Sequence, residues 1–261
     1  GGTVRCGTRV TSVVVRGGRA LGVRTADGDA VRAGRAILAD VPAPALYGGL
    51  VSWDDLPTRL RDDIRRFQWD LGTVKVDWAL DGPIPWADPE SGAAGTVHLA
   101  ADLNEMSDHA MQVTTGRLPR HPFTLLGQMT TTDPTRSPAG TESAWAYSHV
   151  PQHVVEDLGD GTLTGTWDER ETAVYADRIE AQVERFAPGF RDRIKARRVL
   201  TPPVLERLDE SLVGGALNGG TTAVHQQLIF RPVPGTGRPE TPVTGLYLAS
   251  ASAHPGGGVH G

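Results

Sequence analysis

The sequence predicts an α+β chain with an α/β parent architecture in its first and last parts. Three observations carry that expectation. Residues 8–40 hold β-branched, apolar-rich runs separated by tight turns. Residues 71–200 mix short strand patterns with helical repeats. Near the end, one apolar run, Leu246-Tyr247-Leu248-Ala249, leads into a glycine turn. The chain divides accordingly into residues 1–70, residues 71–200 forming a mixed sheet with helices, and residues 201–261, which return to the architecture of the first part.

In chain order, Thr8 to Val15 and Arg19 to Thr25 read as strands around Gly17-Gly18, and Asp27-Gly28 makes a hairpin turn. Ala30 to Arg32 follows, then Ala36 to Ala39, read as a buried strand. Leu56, Leu60, Ile64 and Phe67 recur at helical spacing. Thr73 to Leu80 alternates, with Val74, Val76 and Trp78 on one face and Lys75 and Asp77 on the other. Residues 83–95, rich in Pro, Gly and Ala, read as loop. A strand is expected over Thr96 to Ala101, then a helix over Leu103 to Val113 capped by Asp102 or Asn104. Phe123 to Thr130 and Ser143 to His149 read as strands. Asp168 to Phe186 carries the longest helical repeat, stopped by Pro188-Gly189. A helical turn over Phe190 to Lys195, a strand over Ala196 to Leu200 and a helix from Thr201-Pro202-Pro203 complete the middle part.

The bulk properties exclude several classes. The 261 residues are 39% hydrophobic and 22% charged, the balance of a soluble globular protein. Lys+Arg number 26 against Asp+Glu 31, for a formal net charge of -5, with no basic stripe for nucleic acid. Cys6 is the only cysteine, so no intramolecular disulfide forms, which fits a reducing compartment. The start, GGTVRCGTRV, has no apolar segment of a signal peptide. No apolar run reaches the ~18 residues of a membrane span. A cytoplasmic location is the expectation.

Metal is not expected. His149 and His153 have helical ligand spacing, but Pro151 between them breaks the helix that spacing needs. No G-x-S-x-G elbow and no Walker lysine motif occur. Gly256, Gly258 and Gly261 fit G-x-G-x-x-G, but a dinucleotide fingerprint also needs a following helix and an acidic residue about 20 positions on. A glycine-rich tail explains the spacing equally well.

The string Gly245-Leu246-Tyr247-Leu248, followed by His254-Pro255-Gly256-Gly257-Gly258-Val259, resembles the C-terminal flavin-contacting segment of phytoene desaturases and the wider phytoene dehydrogenase-related FAD oxidoreductases. Val10-x-x-Val13, Gly18-Arg19-Ala20-x-Gly22-Val23 and Ile37-Leu38-Ala39 resemble the family's earlier β-meander. The resemblance implies a glutathione-reductase-like FAD domain of the Rossmann-like class, interrupted by a substrate domain. Its upstream dinucleotide-binding unit and the helix after the glycine turn have no counterpart here, so it implies the C-terminal portion of a longer protein, inactive alone.

The resemblance also implies FAD as cofactor, with contacts from the main chain of Val10 and from Ser252, His254, Pro255, Gly256, Gly257, Gly258 and Val259. No catalytic residue is identified; His254 is the one candidate inside the motif. Trp145 and Tyr147 are apolar enough to line a substrate pocket, as are Trp78, Trp86 and Met129, although core packing is the commoner role for such residues. Arg231 stands where it could meet a substrate charge or order its loop. The expected activity is hydride transfer between a hydrophobic small molecule and flavin. A carotenoid substrate would add peripheral membrane contact. The competing reading is a non-catalytic domain that binds a ligand or a partner on the same scaffold.

Overall fold

In the computed structural model, which describes residues 2–257, helices and strands alternate along the chain. In order they are β1 Val10–Arg16, β2 Arg19–Thr25, β3 Ala30–Arg32, β4 Ile37–Ala39, α1 Ala43–Ala45, α2 Thr58–Arg65, β5 Gly72–Leu80, α3 Pro89–Ala93, β6 Thr96–Leu99, α4 Leu103–Thr114, β7 Arg117–Leu118, β8 Thr124–Gln128, β9 Glu142–Val150, β10 Glu156–Asp157, α5 Glu169–Phe186, β11 Ile194–Leu200, α6 Pro202–Leu208 and β12 Leu246–Leu248. They form two units. One is built from the residues up to Asp70 and from Asn218 onward, the other from Leu71–Leu217. Residues 201–217, expected with the returning segment, pack within the second unit.

In the first unit β1, β2 and β3 form an antiparallel meander. Gly28 takes φ +88° in the turn before β3, a conformation that glycine adopts without steric cost. The meander packs Val13 and Ala20 into a core shared with Leu46, Tyr47, Leu60, Ile64, Leu246 and Leu248. Burial pushes the Tyr47 phenol up to about 12. Helix α2 starts after Pro57 rather than at Leu56, because a residue before proline is pushed to extended backbone. Strand β12 pairs in parallel with β4, so chain segments far apart in sequence share one small sheet. Strand β4 is not wholly buried as expected: Ile37 and Ala39 are half-buried, while Leu38 is 73% exposed. Three residues on a pleated strand put the middle side chain on the opposite face from its neighbours.

The second unit is organised by a five-stranded sheet of order β11-β5-β9-β8-β6, antiparallel throughout and not mixed as expected, because none of its neighbouring strands is joined by a parallel crossover. Its strands alternate cleanly. Val74, Val76, Trp78, Ala144, Ala146 and Leu126 are buried with Tyr175, Ala176, Ile179 and Val183 of α5. Helix α5 begins as the sequence indicates: Asp168 is its cap and accepts a hydrogen bond from the Glu171 N–H at 2.7 Å. Helix α4 is capped by Asp102, which accepts from the Glu105 N–H at 2.9 Å. The loop expected over residues 83–95 contains the short α3, capped by Asp88. Strands β7 and β10 form a two-residue parallel bridge that no sequence pattern announces.

Candidate functional site

The glycine turn is positioned by β12. Ligands of open parallel sheets bind outside the carboxyl ends of the strands, and the chain leaves β12 through Ala249 and Ser250 at that end of the β4–β12 pair. A groove of about 340 Å³ opens there, lined by Pro239, Leu248 to Ala251 and Ala253 to Gly256. Most of its lining residues are small, which suits a ligand that approaches the backbone closely.

Several features fit this groove to an anionic, hydrogen-bonding cofactor. Gly256 has φ +139°, a conformation that side chains rarely adopt, and a Cβ there would stand 2.8 Å from Gln227 Oε1. The N–H groups of Gly256 and Gly257 make no hydrogen bond to a described residue. His254 Nδ1 is buried and has no hydrogen-bond partner among the described residues. A buried polar atom without a partner is costly and is ordinarily satisfied. Two N–H donors and an imidazole nitrogen without partners among the described residues thus lie on one short turn and match a hydrogen-bonding ligand, such as the flavin and ribityl parts of FAD.

The expected contacts are distributed as follows. His254, Pro255 and Gly256 line the groove, and Gly257 follows in the same turn, where a Cβ would stand 3.1 Å from Asn218 Oδ1. Ser252 is turned inward: it is fully buried and its hydroxyl donates to the Gly219 carbonyl. Val10 is the first residue of β1, paired with Thr25 just before a register shift, and is not among the groove residues. Gly258 and Val259 lie outside the described residues.

Arg231 faces no open surface. It is fully buried, and its guanidinium donates to main-chain carbonyls: Nε to Ala251 at 2.7 Å, Nη1 to Thr221 at 3.1 Å, Nη2 to Asn218 and to Gly220. Burial lowers its pKa and the charge of Asp70 opposes that shift. Its side chain thus joins the 218–221 loop to Ala251.

Trp145 and Tyr147 lie in the second unit, on the sheet face opposite α5. The two rings are stacked with centroids 6.1 Å apart and planes within 2°. Gly127 lies across from Trp145 in register, and a Cβ there would stand 2.4 Å from the indole ring, so glycine makes room for it. Tyr147 is also packed edge-on against His149. A recess of about 460 Å³ is lined by Trp145, Tyr147, Thr73, Lys75, Leu205 and Leu217. Lys75 is ion-paired with Asp77 beside it, and the buried Thr73 hydroxyl has no partner among the described residues. The walls are therefore apolar and aromatic, with polar groups at one side. Burial raises the Tyr147 pKa, keeping its phenol neutral at ordinary pH.

Trp78 and Trp86 do not line this recess. Trp78 is buried against α5, its Nε1 donating to Glu180 at 2.9 Å, and Trp86 donates to Gln128 at 2.9 Å. The two-residue strand period decides this, since Trp78 and Trp145 stand on opposite faces. Met129 instead contacts Trp145 through its sulfur. Thr73, Lys75, Leu205 and Leu217 were not expected at the recess. The alternation of β5 could have indicated Thr73 and Lys75; nothing local marks the leucines. Among the described residues, no cluster of His, Cys, Asp and Glu could hold a metal, and no helix is long and apolar enough to cross a membrane.

Comparison with known proteins agrees with this architecture. No family model matches the chain. A mouse (Mus musculus) protein named pyridine nucleotide-disulfide oxidoreductase domain-containing protein 2 is 32% identical over 253 residues, covering 94% of this chain and 42% of the relative. The neurosporene-forming phytoene desaturase of Rhodobacter capsulatus is 26% identical over 270 residues, covering 99% of this chain and 47% of the relative. Among solved structures, putrescine oxidase bound to putrescine has a TM-score of 0.53 at 16% identity over 94% of this chain and 42% of its own. An oxidoreductase from Methanosarcina mazei has a TM-score of 0.52 at 15% identity over 95% of this chain and 44% of its own. The solved structures establish the fold; the sequence relatives establish kinship. The chain spans less than half the length of these relatives, and within that span its sequence is similar to the pyridine nucleotide-disulfide oxidoreductase domain-containing protein and to phytoene desaturase.

Proposed function

We propose that this chain forms part of an FAD-dependent oxidoreductase in which the first unit holds the flavin end of the cofactor and the second presents an apolar face to the substrate. The observation that carries the reading is the 254–257 turn after β12, where N–H groups and an imidazole nitrogen that have no partner among the described residues adjoin a groove. The meander and the β4–β12 pair correspond on this reading to parts of a glutathione-reductase-like FAD domain.

FAD, when bound, supplies the hydride acceptor. The protein's residues orient and polarise. Gly256 and Gly257 offer N–H groups to negative charge, which such donors stabilise without reorganising. His254 Nδ1 offers one further hydrogen-bonding position, as donor or acceptor according to its tautomer. Trp145 and Tyr147 give an aromatic wall that holds a hydrophobic substrate and excludes water, with the Thr73 hydroxyl available to one polar substituent. The substrate is a hydrophobic small molecule on this reading, and membrane contact follows only where that molecule is drawn from a bilayer.

The test is the visible spectrum of the protein purified from its intact gene. Flavin bands that bleach on anaerobic reduction support the proposal. A colourless, folded protein that takes up no added FAD refutes it and leaves a non-catalytic ligand-binding domain.

A further inference from the structure

A buried guanidinium among main-chain carbonyls needs a reason, because removing a charge from water is costly. Arg231 sits where three stretches of the first unit converge. Its three nitrogens serve two of them: Nε serves Ala251, while Nη1 serves Thr221 and Nη2 serves Asn218 and Gly220 of the 218–221 loop. A lysine, with one nitrogen, cannot bridge them in this fork geometry. Gly219 and Gly220 have φ +61° and +144°. Side chains there would strike Ser252, Phe67 and Gln226, so the tight 218–221 loop is held from both sides. Asn218 is fixed in turn by its amide donating to Asp70 at 2.6 Å.

The guanidinium also lies directly beneath the glycine turn. A Cβ on Gly256 would be 3.6 Å from Arg231 Cδ and 3.8 Å from Nε. The Leu228 N–H donates to the Pro255 carbonyl at 3.3 Å, which ties the Arg231 segment to the turn a second time. The carbonyls satisfy the hydrogen-bonding of the guanidinium but do not cancel its charge, which the nearby Asp70 carboxylate opposes in part. In an interior of low dielectric a unit charge one residue below a surface is felt there far more than in water.

Resting on the flavin reading above, we propose that Arg231 is a positioning residue for the cofactor: from beneath Gly256 its guanidinium locks the 218–221 loop to the 250–257 turn and lends that surface a fixed positive charge that favours electron-rich flavin. Arg231 touches neither substrate nor the reacting atoms. It acts through the turn.

The experiment compares Arg231→Lys, Arg231→Met and Gly256→Ala in the FAD-loaded protein from the intact gene. The readouts are FAD affinity, the flavin midpoint potential, and amide hydrogen exchange of the cofactor-free protein. Arg231→Met is expected to speed exchange at 218–221 and 250–257 by at least about tenfold and to weaken FAD by about 10- to 100-fold, the loss expected for charge-assisted hydrogen bonds. It also lowers the potential, by about 30 mV for each tenfold change in the ratio of reduced to oxidised affinity. Arg231→Lys loosens the same segments and weakens FAD but retains most of the potential. Gly256→Ala weakens FAD and leaves the potential near wild type, because the charge is untouched. If Arg231→Met does not fold, the lysine and alanine variants carry the test through this split between affinity and potential. Wild-type affinity and potential in the Arg231 variants overturn the proposal, as does unchanged exchange at the two segments. Failure of the wild-type protein to bind FAD refutes the flavin reading and the charge role with it, while the exchange data still decide separately whether Arg231 locks the loops.

Discussion

Replacing Glu171 by Gln should destabilise the second unit through a single buried carboxylate. Glu171 is 1% exposed, at the start of α5. Its two oxygens accept from the Thr164 N–H at 2.8 Å, the Thr164 hydroxyl at 2.8 Å, the Gly165 N–H at 3.0 Å and the Trp167 N–H at 3.1 Å. Those donors come from a loop in which Trp167 is held at φ +53°. A glutamine offers one acceptor oxygen and turns an NH₂ group toward the remaining N–H donors. About two part-buried donors then lose their partner at about 1–3 kcal/mol each, so the loss should be about 2–6 kcal/mol. The hydrogen bonds also hold the Glu171 carboxyl at about 2, below its ordinary 4.5, against the opposing effect of burial. The folded pKa is depressed, so the stabilisation is complete above the unfolded value and fades as pH falls from about 4.5 toward about 2. Urea unfolding of wild type and Glu171→Gln at pH 7 and at pH 3 measures both effects. Equal stability at pH 7, or a gap between the two proteins that does not narrow at pH 3, would show that the carboxylate does not hold this loop.

Three further outcomes are expected. Arg178→Ala should cost about 3–5 kcal/mol in thermal or urea unfolding, because it strands the buried Asp157 carboxylate that accepts from Arg178 Nη1 at 2.7 Å. The same guanidinium, with the Gly159 and Leu163 N–H groups, holds Asp157 well below the usual carboxylate range. Gly127→Ala should force the Trp145 indole from its place, at about 1–3 kcal/mol of overpacking, with a shifted tryptophan emission and a changed affinity for apolar ligands. Tyr147→Ala should raise KM for a hydrophobic substrate more than it lowers kcat, since the ring lines the recess without being assigned a proton to move; a selective fall in kcat would refute that assignment.

Local pattern was enough wherever one element decides its own state. The alternation of residues 73–80 assigned Val74, Val76 and Trp78 to one face and Lys75 and Asp77 to the other, and the sheet keeps that division. Asp102 and Asp168 cap their helices because a side-chain oxygen can meet N–H groups two or three residues ahead without help from the rest of the fold. The glycine turn after residues 246–248 was legible for the same reason. Helix α3 was obscured by its short length among Pro and Gly, and the start of α2 moved because Pro57 restricts Leu56.

The sequence by itself therefore determined the longer strands and helices, their order and the two faces of β5. Only the tertiary structure decided what long-range partners decide. Nothing near Arg231 in sequence says that the carbonyls of residues 218, 220, 221 and 251 will surround it. Nothing near Ser252 says that its hydroxyl will close on Gly219. Trp78 and Trp145 are alike as residues, yet one lies in the core and the other at the recess, because α5 covers one face of the sheet. Periodicity is a property of a single strand or helix and is written locally. Burial and the partner of a polar group depend on which distant segment arrives, and that is settled only when the chain has packed.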